Sequence, residues 1–229
     1  MIDGKKISAV ITAAGNGLRM KSNKAKPYIE IMGRKILEIS LDTIVKLDQI
    51  DQIIVVIRKD DENYLKDILK KYDKKISYVF GKETRELSTY EGLKAVDKNS
   101  KLVLTHDGVR PFASKELFEK VLENLKEYKA VISAVKSKDT VKIVDENSLV
   151  KTTPLRKEVY NVQTPQAFDK EMILDFYEKY TQSNFTITDD SQLFEIYSEE
   201  KIKVVEGEYS NIKMTTPEDL IFAKAFLED

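Results

Sequence analysis

Ile7-Ser8-Ala9-Val10-Ile11-Thr12-Ala13-Ala14-Gly15-Asn16-Gly17-Leu18-Arg19-Met20, followed by Lys26, decides how this chain is read. Ser8 to Ala13 is apolar or small at nearly every position, without alternation. A strand covered on both faces has that composition. It runs into a turn of small residues carrying Gly15 and Gly17, with two cations, Arg19 and Lys26, within a loop's reach. Backbone N–H groups and nearby positive side chains are what a polyphosphate needs. The stretch therefore reads as a cradle for a nucleoside triphosphate. A bare glycine turn between strand and helix accounts for Gly15-Asn16-Gly17 equally well. The loop has neither the spacing and Gly-Lys-Ser/Thr ending of a P-loop nor the third glycine of a dinucleotide fold.

Working outward, the same buried-strand pattern recurs at Gln52–Ile57, Ile76–Phe80, Lys101–Thr105 and Ala130–Val135. Segments with apolar residues at helical spacing separate these strands: 36–46, 60–72, 88–96 and 115–128. The alternation predicts a mainly parallel sheet with helices on both faces, a three-layer α/β/α fold. Ligands of such sheets sit beyond the carboxyl ends of the strands. Those ends carry Gly15, Gly81-Lys82-Glu83 and His106-Asp107-Gly108, which are expected to converge.

Between residues 137 and 161 the rhythm breaks. Residues 140–144 and 149–152, around a turn at Asp145-Glu146-Asn147-Ser148, read as a β-hairpin too poor in apolar residues to be core. An arm packing on a neighbouring subunit or a mobile lid both explain it. Beyond it we expect a short strand at 159–162, helices at 170–180 and 189–198, and strands at 202–205 and 211–214. A last helix opens at Thr216-Pro217. No repeat or linker interrupts residues 1–229, so one domain with one inserted arm is expected.

Bulk properties exclude several classes. With 38 basic and 39 acidic residues, the balance points neither to nucleic acid nor to an anionic membrane. The absence of cysteine excludes disulfides and thiolate metal sites, and a single histidine excludes a His-rich one. The first apolar run is too short to span a membrane, so a cytoplasmic protein is expected. Asp107, at the end of a buried strand, reads either as a cap for its turn or as a contact for a ribose hydroxyl or metal. Arg110 places a cation at the same edge. His106 reads as a structural hydrogen bonder, and alternation turns Lys213 away from Ile212 and Met214.

Together these residues resemble the 2-C-methyl-D-erythritol 4-phosphate cytidylyltransferase family. The motifs that carry the resemblance are Ala13-Ala14-Gly15-x-Gly17-x-Arg19-Met20, Lys26, Gly81-x-Glu83-x-Arg85-x-x-Ser88 and His106-Asp107-Gly108-x-Arg110-Pro111. They continue with Asp139-Thr140, Gln163-Thr164-Pro165-Gln166-x-Phe168, Thr188-Asp189-Asp190 and the run from Gly207 through Asn211-Ile212-Lys213 to Leu220. The resemblance implies a Rossmann-like nucleotidyltransferase that joins CTP, with Mg²⁺ carried mainly by its phosphates, to a sugar-alcohol phosphate, releasing pyrophosphate. Arg19, Lys26, Arg156 and Lys213 would be catalytic. Ala13, Ala14, Gly15, Asn16, Gly17, Gly81, Glu83, Ser88 and Asp107 would hold the nucleotide. Arg110, Thr140, Arg156, Thr188 and Lys213 would hold the acceptor, with Thr140 and Arg156 reaching the other subunit of a homodimer through the arm.

Two positions depart from the family pattern: Leu18, where a second cation is frequent, and Pro27, which should bias Lys26 toward an extended backbone. A pentitol phosphate cytidylyltransferase shares this fold and CTP site. Residues 105–112 and 207–211 lean that way, whereas Ala13-Ala14-Gly15 and Thr188-Asp189-Asp190 lean toward methylerythritol phosphate. A regulatory nucleotide-binding module without turnover is the remaining class, and the retained cations argue against it.

Overall fold

The computed structural model of the chain describes residues 1–15, 25–74 and 76–228. Strands β1 (Lys6–Thr12), β4 (Gln52–Ile57), β5 (Ile76–Phe80), β6 (Ser100–Asp107), β7 (Ala130–Lys136), β10 (Tyr160–Asp169) and β11 (Ile202–Glu206) form one sheet. It has seven strands in the order β11-β7-β10-β6-β1-β4-β5. All neighbouring pairs are parallel except those of β10, which runs antiparallel between β6 and β7. Small pairs complete the strands: β2 (Glu30–Ile31) with β3 (Arg34–Lys35), and β8 (Ile143–Val144) with β9 (Val150–Thr152).

Alternation along each central strand feeds two cores. One face of the sheet, with Ile7, Ile11, Val55 and Leu104, packs under α1 (Ile36–Ile44), α2 (Glu62–Leu69) and α4 (Lys115–Asn124). Val10, Val56, Val103 and Phe168 face the opposite layer of α3 (Arg85–Lys94), α5 (Lys170–Thr181) and α6 (Gln192–Tyr197). These are the three expected layers. A third apolar cluster, with Ile31, Ile36, Met214 and Ala223, ties α7 (Pro217–Glu228) to the start of α1. No helix among the described residues is long and apolar enough to cross a membrane.

Several local readings change. The strand expected at 159–162 runs on to Asp169 through Gln163-Thr164-Pro165-Gln166, with a register shift between Gln163 and Gln166. The segment 211–214 is not a strand. The helix expected at 189–198 covers only Gln192–Tyr197. In the hairpin the first paired strand shrinks to Ile143–Val144. Pro27 does not hold Lys26 extended either. Ala25 is the extended residue (φ −62°, ψ 144°), and Lys26 opens a 3₁₀ turn to Tyr28.

Gly92 sets the depth at which α3 sits on the sheet. A Cβ there would meet Val10 Cγ1 at 2.4 Å and Val56 Cγ2 at 2.6 Å, both on stiff β-branched side chains in the core. Gly92→Ala is therefore expected to destabilise the fold by about 1–3 kcal/mol, read as a lower urea midpoint. An unchanged or higher midpoint, the outcome helix propensity alone favours, would show that the strands yield.

Candidate active site

The carboxyl ends of β1, β5 and β6 open onto a cleft of about 500 Å³. Its walls come from the loop after β1 (Ala13, Ala14, Gly15), the 3₁₀ turn (Lys26, Pro27), the β5–α3 loop (Lys82, Glu83, Thr84), and Asp107 with Lys213. Gly81 lets the first and third of these touch. A Cβ on it would lie 2.6 Å from Ser88 Oγ and 2.7 Å from Ala14 Cβ. Ser88 is buried and clamps the same loop. Its hydroxyl donates to the Thr84 carbonyl at 2.7 Å and accepts from the Lys82 N–H at 3.0 Å.

Asp107 is the electrostatic centre of the cleft. Its carboxylate lies 2.9 Å from Lys213 Nζ, 3.4 Å from Arg110 Nε and 3.6 Å from Arg85 Nε. Burial alone would raise its pKa. Lys213, Arg85 and Arg110 outweigh that and hold it well below the usual carboxylate range. Burial pulls Arg110 below its ordinary value, against the attraction of Asp107. Arg85 shifts the other way, raised first by Asp190 and further by Asp107.

Each cation has its own support. Arg110 Nη1 donates to the Asn211 carbonyl at 2.8 Å, and Asn211 Nδ2 donates to the Thr164 carbonyl at 2.9 Å. The Met214 N–H donates to the Val109 carbonyl at 2.9 Å. Asn211 and Met214 are both fully buried, so Lys213 is strung between two anchors and presented to Asp107. Arg85 Nη1 donates to Asp190 Oδ1 at 2.9 Å.

His106 and Asp107, adjacent on β6, face opposite layers and opposite environments. The His106 ring packs 4.9 Å from Phe118 in α4, with Thr164 Oγ1 and the Arg110 carbonyl each 3.1 Å from its nitrogens. Burial lowers its pKa to about 4, so it is neutral at pH 7, as a structural hydrogen bonder should be.

The expected site residues therefore divide. Ala13, Ala14, Gly15, Lys26, Glu83, Ser88, Asp107 and Lys213 line one cleft, with Gly81 beneath its wall and Arg110 braced behind Asp107. Asn16, Gly17 and Arg19, with Leu18, lie outside the described residues. Thr140 and Arg156 lie on the exposed arm, where Arg156 Nη1 donates to the Lys138 carbonyl at 3.4 Å. Thr188 does not reach the cleft. It is exposed, and its N–H and hydroxyl both turn to Gln192 Oε1. Thr84 is a cleft residue that sequence reasoning missed, and Lys82 stood in the Gly81-Lys82-Glu83 strand end expected to converge there but was given no role. Arg85 belongs with them. It stands in the quoted motif, and nothing local announced its place between two carboxylates.

A family model described as 2-C-methyl-D-erythritol 4-phosphate cytidylyltransferase (IspD) matches residues 7–229. The chain belongs to this family. Its relatives of that name include a Caldanaerobacter subterraneus protein, 40% identical over 96% of this chain and 98% of its own. A Clostridium beijerinckii protein is 40% identical over 97% and 99%. Among solved structures, 4-diphosphocytidyl-2C-methyl-D-erythritol synthase from Anaerococcus prevotii superposes with a TM-score of 0.92 at 64% identity, covering 100% of this chain and 98% of that one. The cytidylyltransferase from Thermus thermophilus gives 0.78 at 27% identity, covering 98% and 100%. Membership of the family thus spans the cleft, the arm and the Lys213 segment together.

The neutral burial of His106 has a sign in pH. Its folded pKa is depressed, so below about 6.5 the unfolded chain takes up a proton that the folded chain refuses. Stability is therefore complete above that pH and falls as pH drops toward 4, by about 3 kcal/mol in all. His106 is the only histidine, so urea unfolding between pH 6.5 and 5 reads it with little interference. His106→Asn should flatten the slope, and an equal slope in the variant would contradict the assignment.

Proposed function

We propose that the cleft binds CTP and 2-C-methyl-D-erythritol 4-phosphate and joins them into CDP-methylerythritol. The observation that carries this reading is Lys213 held at Asp107 in the same cleft as the Gly15 loop and Lys26, in a chain of this family. A phosphate oxygen of the acceptor attacks the α-phosphorus of CTP. The bond from that phosphorus to the bridging oxygen breaks, and pyrophosphate leaves with the electron pair. The attacking oxygen is already anionic, so no general base is needed. What the protein must supply is alignment and positive charge.

The roles follow position. The backbone around Ala13-Ala14-Gly15 and the loop from Gly81 to Ser88, with Glu83, cradle the nucleoside. The resemblance to the family assigns Asn16 and Gly17 to the nucleotide as well. Arg19 and Lys26 meet the triphosphate. Asp107, braced by Arg110, faces the ribose side and holds Lys213, which takes the acceptor phosphate. Among the described residues no group of three His, Asp or Glu side chains could hold a metal ion. The cleft's carboxylates are Glu83 and an Asp107 already paired with cations. That donor set fits a Mg²⁺ carried by the triphosphate. Bound there, the ion would offset charge on the transferring and leaving phosphates.

The arm completes the site in the same reading. Ile143, Leu149, Val150 and Leu155 on it are exposed, an apolar set with no cover in a single chain. We place it against a second copy, with Thr140 and Arg156 entering that copy's cleft beside Lys213. Methylerythritol phosphate is preferred over ribitol phosphate as acceptor because the family model and the relatives named above carry the former.

Pyrophosphate release from CTP is expected with methylerythritol 4-phosphate and not with ribitol 5-phosphate, and to fall about 100-fold or more in a folded Lys213→Ala variant. Release only with ribitol phosphate would overturn the substrate assignment, and full activity of the variant that of Lys213. Arg156→Ala and Lys213→Ala, each inactive alone, should regain about a quarter of wild-type activity per protomer when unfolded and refolded together. That is what random pairing yields when one site in each mixed dimer keeps both residues. No recovery on mixing would place Arg156 in its own chain's site.

A further inference from the structure

Asp190 is an unused charge beside the cleft. It is fully buried, and its carboxylate accepts from Arg85 Nη1 at 2.9 Å, Tyr177 OH at 2.7 Å and Thr105 Oγ1 at 2.9 Å. Thr105 and Asp107 are two apart on β6 and face the same layer. Arg85 spans the gap between the two carboxylates, with one nitrogen on Asp190 and its Nε 3.6 Å from Asp107. A guanidinium presents donors in a fixed fork, so anchoring one end aims the other.

This bears on Lys213. In the free protein its ammonium is committed to Asp107 at 2.9 Å. An acceptor phosphate competes with Asp107 for that ammonium, and a buried carboxylate cannot be left uncompensated. Arg110 and Arg85 are the other cations on Asp107. Arg85 is about a quarter exposed, so without its anchor the guanidinium can turn toward water.

We propose that Asp190 is a positioning residue that aims Arg85 at Asp107, so that Lys213 can exchange Asp107 for the acceptor phosphate. The proposal rests on the function assigned to this cleft above. Losing the anchor leaves Asp107 leaning on Lys213, which weakens acceptor use and leaves CTP binding alone.

The test compares the unaltered protein with Asp190→Asn, whose amide keeps the shape without the charge, in wild-type and Arg85→Gln backgrounds. Asp190→Asn is expected to lower kcat/KM for the acceptor about tenfold, mostly through KM, with KM for CTP within twofold. In the Arg85→Gln background the same change should cost less than twofold, because there is no guanidinium left to aim. Should Arg85→Gln not fold, Arg85→Lys serves instead. A single ammonium cannot span both carboxylates, so it should show the same rise in acceptor KM. Wild-type kinetics in Asp190→Asn, or an equal loss in both backgrounds, would overturn the proposal.

Absence of turnover in the wild type would instead sink the assigned function. The proposal then stands or falls on a readout that needs no substrate, acylation of Lys213 by an amine-reactive ester followed by peptide mass spectrometry. Lys213 should react about threefold more slowly in Asp190→Asn. An equal or faster rate would contradict the account.

Discussion

One carboxylate at the end of a central strand organises this molecule. Asp107 has little exposure, and an unpaired charge in such a place costs several kcal/mol. The fold answers with Lys213, Arg110 and Arg85, drawn from three parts of the sequence. Bringing them to one point requires the β6 turn, the start of α3 and the segment before α7 to end at the same edge. The same cleft is lined by Lys26, Lys82, Arg85 and Lys213, the positive charge that the reaction proposed for it needs.

The supports behind that centre are largely polar and buried. Gln163 Nε2 donates to the Glu208 carbonyl at 2.8 Å, Asn211 Nδ2 to the Thr164 carbonyl, and Gln166 Nε2 to Asp189 Oδ2 at 2.9 Å. Buried polar groups are mostly hydrogen-bonded. Here Gln166 Oε1 and Asn211 Oδ1 have no partner among the described residues, but the three amide nitrogens are bonded. That explains why the Gln163-Thr164-Pro165-Gln166 and Gly207–Asn211 stretches belong together despite lying some forty residues apart. They are two halves of one brace. Gly207 belongs to it for a steric reason, since a Cβ there would sit 2.3 Å from Gln163 Oε1.

The parallel part of the sheet was legible because β1, β4, β6 and β7 are covered on both faces and lack alternation. β10 was only half legible. A hydrophobic pattern reads the same in either chain direction, so nothing announced that it runs antiparallel. Its buried glutamines and proline also resemble a loop. Residues 211–214 alternate as a strand does, but among the described residues they pair with no strand, and anchoring at Asn211 and Met214 replaces the ladder. The Arg85–Asp190 contact spans 105 positions, and no local pattern can report a pairing at that separation. Thr188 illustrates the reverse. Its motif was recognised, and its side chain is turned to Gln192 rather than to the cleft.

The central claim is that Lys213 trades Asp107 for the acceptor while Arg85 and Arg110 keep Asp107 compensated. A structure of the protein with CTP, Mg²⁺ and a non-reacting analogue of methylerythritol 4-phosphate tests this directly. Expected is Lys213 Nζ within hydrogen-bond distance of the acceptor phosphate, farther from Asp107 than the present 2.9 Å, with both guanidinium groups still on that carboxylate. An acceptor phosphate bound away from Lys213, or Arg85 swung off Asp107 while Lys213 stays paired to it, would contradict the account.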